Sequence, residues 1–170
     1  MDSELTLFVE LLHDDAQPPK RATSGSAGYD LTAYLKGRTV KCARDGRTWD
    51  EPERTTDDDA ALVLPPATTA LVPLGFKARL PTGIEAQIRP RSGLAFKKGL
   101  EIPNAPGTID SDYPDEWMVI VRNPTAAEIR IAHGERIAQM VLARYEVLPI
   151  EMDTVGVTTT RVGGFGSTGA

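Results

Sequence analysis

The stretch Ala70-Leu71-Val72-Pro73-Leu74-Gly75-Phe76-Lys77-Ala78-Arg79-Leu80-Pro81-Thr82-Gly83-Ile84-Glu85-Ala86-Gln87-Ile88-Arg89 decides the fold class. Its apolar runs are short and are broken by a Pro-Thr-Gly turn, so they read as strands rather than helices. Pro73 cannot donate to a ladder and is expected at an edge or a bulge. Outward from this stretch the same texture continues. Leu62-Val63-Leu64 precedes Pro65-Pro66, and residues 117–121, 129–132 and 137–142 form further short apolar segments with turns at Asn123-Pro124 and His133-Gly134. Near the start, Leu5, Leu7, Val9 and Leu11 alternate with Thr6, Phe8 and Glu10, which predicts a strand with one buried face, Phe8 excepted. A polar loop over 14–28 leads into the short extended piece Tyr29-Asp30-Leu31-Thr32-Ala33. Many short strands at near-regular spacing predict an all-β sandwich or barrel of jelly-roll type. The one helical patch is Gly93-Leu94-Ala95-Phe96-Lys97-Lys98, with Ser92 expected as N-cap and Gly99 just beyond its end.

A chain of 170 residues fits a single domain able to bury a core. Asp and Glu outnumber Lys and Arg by 24 to 19, a formal charge of -5. Stable nucleic-acid binding is therefore not expected, because it rests on neutralising phosphates, and a polyanionic ligand must meet a local basic cluster. Cys42 is the single cysteine and no apolar stretch approaches the ~18 residues that cross a bilayer. The opening Met1-Asp2-Ser3-Glu4 has no signal-like character, so a cytoplasmic location and no membrane association are expected. Two regions depart from the body. Residues 36–60 look like an insertion, with Asp45-Gly46 as the two-residue turn of a small hairpin whose Trp49 must dock on the body or on a protein partner. The acidic run Asp57-Asp58-Asp59 closes it and reads as a solvated loop more readily than as a metal site. Residues 153–170 are expected to form a C-terminal arm that stays mobile until a ligand holds it.

Three segments carry chemistry. Asn104-Ala105-Pro106-Gly107-Thr108-Ile109-Asp110-Ser111-Asp112-Tyr113 reads as a bent hairpin loop presenting backbone groups and a carboxylate. Arg91 and Ser92 at a helix start make an anion site by construction, although an isolated Arg-Ser-Gly reads more readily as an N-capped surface helix. The run Gly163-Gly164-Phe165-Gly166-Ser167-Thr168-Gly169 supplies glycines and hydroxyls for a ligand, or is a flexible terminus, and Phe165 there has value if it stacks on a nucleobase. One cysteine and two distant histidines make no zinc pattern, and neither a Ser-His-Asp signature nor a Walker loop is present. What remains is an acid that activates water and a magnesium ion that bridges phosphates, with Asp30, Asp110 and Asp112 as the candidates.

With these residues in view, the chain resembles the homotrimeric all-β dUTP pyrophosphatase (dUTPase) family. Five segments carry the likeness in the family's order: Ala27-Gly28-Tyr29-Asp30-Leu31, Arg89-Pro90-Arg91-Ser92-Gly93-Leu94-Ala95, the 104–113 stretch, Gly134-Glu135-Arg136-Ile137-Ala138-Gln139-Met140, and residues 161–169. The resemblance implies hydrolysis of dUTP to dUMP and pyrophosphate, assisted by Mg2+, in a trimer whose active sites are shared between subunits. Asp110 would be the general base for water attacking the α-phosphorus. Asn104 and the turn through Gly107, Thr108, Ile109 and Asp110 would read the uracil edge, and Tyr113 would pack under the deoxyribose and exclude a 2′-hydroxyl. Arg91, Ser92 and Gln139, with Gly93 beside them, would hold phosphate oxygens. Asp30 would orient water on the Mg2+. Phe165 would stack over the uracil, with Arg161, Gly166, Ser167 and Thr168 closing over the phosphates from another subunit's tail. The chain departs from the family's pattern in three places: Pro114-Asp115 follow Tyr113 where Arg-Gly is usual, Arg161 stands one residue nearer Phe165, and the 36–60 segment lies outside the likeness. The alternatives are a deoxycytidine triphosphate deaminase of the same fold, which ammonia release from dCTP would reveal, and a dUTP-gated regulatory protein whose 36–60 segment engages a partner.

Overall fold

Short apolar segments interrupted by Pro and Gly can bury themselves only by pairing across the chain, and the protein is built almost wholly from such pairs. The computed structural model describes residues 5–52, 54–56, 59–156 and 160. Among them stand fourteen strands: β1 (Phe8–Leu11), β2 (Lys20–Arg21), β3 (Tyr29–Thr32), β4 (Thr39–Arg44), β5 (Arg47–Pro52), β6 (Arg54–Thr56), β7 (Asp59–Leu64), β8 (Thr69–Pro73), β9 (Phe76–Arg79), β10 (Ile84–Pro90), β11 (Gly107–Ile109), β12 (Met118–Arg122), β13 (Ile129–Ala132) and β14 (Arg136–Arg144). One helix, α1 (Ser92–Lys98), follows β10. The strands form a five-stranded sheet in the order β11-β10-β14-β3-β2, a four-stranded sheet β12-β8-β4-β5, a three-stranded sheet β13-β7-β6 and the pair β1-β9. The expected all-β, jelly-roll-like class is what the chain adopts. No helix among the described residues is long and apolar enough to cross a membrane.

Alternate residues of the central strands meet in one core. Leu31 of β3, Leu62 and Leu64 of β7, Val72 of β8, Phe76 of β9, Ala86 of β10, Val119 and Val121 of β12, and Met140 of β14 are each at most 1 % exposed. Asn123 is one of two wholly buried polar residues among those described, with Thr68, and stands at the turn after β12. Its amide donates to the Leu64 carbonyl at 2.8 Å and the Ala127 carbonyl at 2.7 Å, while its Oδ1 accepts from the Thr125 N–H. Burial is tolerated because these groups are satisfied.

Several expectations are refined. The first strand is shorter and wetter than its alternation suggests: Leu5 is 53 % and Leu11 42 % exposed, and only Leu7 and Val9 reach the core. The cause is its place, since β1 pairs with β9 alone. Pro73 sits in a central strand, not at an edge, but it is the last residue of β8, beyond the Lys41–Ala43 ladder with β4, so no bond is forfeited. The 36–60 segment does contain the expected hairpin. Asp45 and Gly46 have φ of 52° and 73°, both central residues being left-handed as a type I′ turn requires. The hairpin docks on the body: β4 pairs with β8, Cys42 is buried and Trp49 packs partly against the core. Asp59 opens β7 rather than a loop, while Asp57 and Asp58 lie outside the described residues.

Burial pushes the Cys42 thiol up from 9.0 to about 11, with Glu51 and Asp50 adding repulsion against the thiolate. A pKa raised on folding gives stability that is present below pH 9 and lost as pH rises through 11, on the order of 2 kcal/mol. Urea denaturation between pH 9 and 11 should therefore show a steeper loss for the wild type than for Cys42→Ala, and the native thiol should react with a disulfide reagent only upon unfolding.

Candidate active site

Strand β10 delivers its end directly into α1, and the next two strands on one side of it, β14 and β3, bring in the remaining groups. In register, Arg89 lies opposite Gln139 of β14, and Gln139 lies opposite Asp30 of β3. Directly paired residues share a sheet face, so Asp30 and Gln139 come to one side together. A bulge in β14 adds a third group. Arg136 pairs with Thr32 while Ala138 pairs with Leu31, leaving Ile137 as the extra residue. Without that bulge Arg136 would alternate to the buried face; with it, Ile137 and Ala138 are both buried and Arg136 turns out beside Asp30.

The result is a cavity of about 450 Å3 lined by Gly28, Asp30, Arg91, Ser92, Gly93, Arg136 and Gln139, among others. Asp30 is its electrostatic hub: one carboxylate oxygen accepts from Arg91 Nε at 2.8 Å and the other from Arg136 Nη1 at 2.9 Å. Arg91 also donates to the Arg136 carbonyl at 3.2 Å. Gln139 donates to the Pro90 carbonyl at 2.9 Å, and its Oε1 lies over residue 28, where a Cβ would stand 2.2 Å away. Ser92 is not the N-cap. Arg91 holds that place with extended backbone, and Leu94 and Ala95 both donate to its carbonyl. Ser92 is thus the first helical residue, so its hydroxyl is not spent on a cap and its N–H precedes the helical bonds. Two guanidinium groups, one hydroxyl, helix-start amides and a primary amide suit a ligand with several anionic oxygens.

The second group of predicted residues lies on the other edge of β10. Residues 107–109 are a strand and not part of a bent loop: Gly107 pairs with Ile88, Thr108 with Gln87 and Ile109 with Ala86. Gly107 is tightly placed: a Cβ there would stand 3.0 Å from the Asn104 amide, which would have to shift slightly. Asp110 is exposed at the strand's end, and its carbonyl accepts from the Tyr113 N–H at 3.3 Å. Ser111, Asp112 and Tyr113 line a different cavity, of about 410 Å3, against β1 and β9. Because β11 runs antiparallel to β10, each residue after Gly107 moves away from Arg91. Asp110 comes level with Glu85, six residues back, or about 20 Å along the strand. One chain therefore brings Asp30, Arg91, Ser92, Gly93 and Gln139 together, and Asn104, Gly107, Thr108, Ile109, Asp110 and Tyr113 together, but keeps the two sets apart. Arg161, Phe165, Gly166, Ser167 and Thr168 lie outside the described residues.

Among the described residues no three His, Cys, Asp or Glu side chains converge to hold a metal ion. Asp30 fits a metal only indirectly. Both its oxygens serve arginines, yet each keeps a lone pair able to accept from a metal-bound water.

Comparison with known proteins adds the decisive observation: the dUTPase family profile matches residues 59–169. The chain belongs to the dUTPase family. It is 39 % identical over 156 residues to a deoxyuridine 5′-triphosphate nucleotidohydrolase of Caulobacter vibrioides, covering 91 % of this chain and 87 % of that one. It is 40 % identical to the enzyme of that name in Neorickettsia sennetsu, covering 91 % and 89 %. Among solved structures, a Staphylococcus bacteriophage 80alpha dUTPase with dUPNHPP superposes with a TM-score of 0.74 at 23 % identity, covering 97 % of this chain and 99 % of that one, a likeness of fold.

Of the residues lining the cavity, Arg136 and Gly28 were not singled out from sequence, although both stand in segments that were. Gly28→Ala should displace the Gln139 side chain, which can rotate away, so the fold should survive. Calorimetric titration with pyrophosphate should show binding about tenfold weaker, with a melting temperature close to wild type.

Proposed function

We propose that the chain hydrolyses dUTP to dUMP and pyrophosphate, by attack of water on the α-phosphorus, in a homotrimer whose active sites are shared between subunits. This would limit uracil incorporation into DNA and supply dUMP for dTMP synthesis. The observation that carries the reading is the cavity in which Arg91, Arg136, Ser92 and Gln139 surround Asp30, a basic cluster on a chain of net charge -5. Its distance from Asp110 is the reason for the trimer: a nucleotide that spans both sets needs the 104–113 segment of a second subunit.

In this mechanism Asp110 accepts a proton from the attacking water. Asn104 and the backbone of β11 read the uracil edge, in a pocket too tight for a 5-methyl group. Tyr113 packs under the deoxyribose. Arg91, Ser92, Gly93 and Gln139 hold phosphate oxygens, so the chain's own donors take up charge that builds as the leaving group departs. A Mg2+ bound to the phosphates would supply further neutralisation, with Asp30 holding one of its waters. Phe165 stacking on the base, and Arg161, Gly166, Ser167 and Thr168 closing on the phosphates, complete the proposal.

Pyrophosphate release assayed with dUTP, dTTP, dCTP and UTP in the presence of Mg2+ tests it. Strong preference for dUTP without ammonia release is expected; equal turnover of all four would contradict it. Asp110→Asn should lose about 10²- to 10⁴-fold in kcat with KM little changed.

A further inference from the structure

Between β11 and β12 the chain crosses residues 110–117, and little inside this crossing holds it. The Tyr113 N–H reaches the Asp110 carbonyl at 3.3 Å, and the Tyr113 hydroxyl reaches the Glu116 carbonyl at 3.5 Å, both at the long end of hydrogen bonding. Asp112, Pro114 and Asp115 are exposed. The first firm attachment is the Glu116 carboxylate, which takes three donors. Arg38 forks it, Nη1 to Oε1 at 3.1 Å and Nη2 to Oε2 at 2.6 Å, and the Gly75 N–H donates to Oε1 at 2.9 Å. The pair is sheltered, with Arg38 23 % and Glu116 11 % exposed. Just beyond, the Trp117 N–H donates to the Phe76 carbonyl and the Trp117 carbonyl accepts from the Leu74 N–H, so the backbone there is pinned independently of the fork.

We infer that Arg38 and Glu116 act as a positioning clamp for Tyr113, and through it for discrimination between deoxyribo- and ribonucleotides. The inference rests on the role proposed above for Tyr113. Arg38 precedes the β4–β5 hairpin, so the 36–60 segment contributes to the site from inside the chain, by gripping the far end of the crossing. A bidentate pair fixes direction as well as distance. With the fork gone, the Glu116 carboxylate keeps only its bond from Gly75, and the crossing hangs on the Trp117 backbone and the 3.5 Å contact of the Tyr113 hydroxyl, so the ring is held more loosely while Asp110, attached to β11, keeps its place. Selectivity by exclusion depends on how the ring is held, whereas the chemical step depends on Asp110.

Steady-state kinetics with dUTP and UTP on Arg38→Met, Arg38→Lys and Glu116→Gln test the clamp, with Asp15→Asn as a control. Asp15 holds Lys36 and Tyr34 in the same corner but does not touch the crossing. In Arg38→Met the dUTP-to-UTP ratio of kcat/KM should fall about tenfold, chiefly through a higher kcat/KM for UTP, with kcat for dUTP within about twofold of wild type. Arg38→Lys, which keeps the charge but not the fork, should recover only part of that loss, and Asp15→Asn should keep the wild-type ratio. The clamp is overturned if Arg38→Met, or Arg38→Lys should the former not fold, retains the wild-type ratio, or if Asp15→Asn lowers it equally. A wild type with measurable dUTP turnover and unchanged variant ratios sinks the clamp alone. A wild type without dUTP turnover sinks the proposed function, and the clamp with it.

Discussion

An extended strand advances about 3.3 Å per residue and cannot be shortened, and this fixes the distance between the two halves of the site. Strand β10 carries Arg91 at one end, and β11 pairs with it antiparallel from Ile88 back to Ala86. The carboxylate at the end of β11 is therefore directed away from the anion cavity by the same ladder that holds it rigid. No side-chain rotation closes about 20 Å. The proposed function follows from this separation: if the cavity around Asp30 takes phosphate and the 104–113 edge reads a base, one ligand reaches both only across two chains.

The cavity shows how a chain with a net negative charge assembles a local basic cluster. Three strands bring Arg91, Gln139, Arg136 and Asp30 to one face, and the bulge at Ile137 decides that Arg136 is among them. Asp30 then balances two guanidinium groups before any ligand arrives. Such a pairing preorganises the arginines, whose forks are held in direction rather than left to sample solvent. It also limits what Asp30 can do for a metal ion, since a carboxylate that serves two arginines is better placed to accept from coordinated water than to coordinate directly.

Much of this was legible in the chain. Short apolar runs broken by Pro and Gly announced an all-β fold, Asp45-Gly46 announced a tight hairpin, and the Arg91-Ser92 pair drew attention to what proves to be the lining of a cavity. What escaped had identifiable causes. β11 was hidden because three residues beside a turn carry no periodicity, and its strand character comes from the ladder with β10. Arg136 was hidden because period-two alternation places it inside, and the bulge that overrides this shows in sequence only as the adjacent apolar pair Ile137-Ala138. Ser92 resembled a cap because capping preferences cannot tell Ncap from N1 without backbone angles. The Arg38–Glu116 fork joins positions 78 residues apart, a contact that no local pattern announces.

Subunit complementation distinguishes a site built from two chains from one contained in a single chain. Asp110→Asn and Arg91→Ala, each nearly inactive alone, are unfolded, mixed in equal amounts and refolded together, and dUTP turnover is measured. Sites built from two chains predict recovery of about one quarter of wild-type activity, the share of neighbouring pairs in which both halves are intact. A mixture no more active than its separate components would contradict the account.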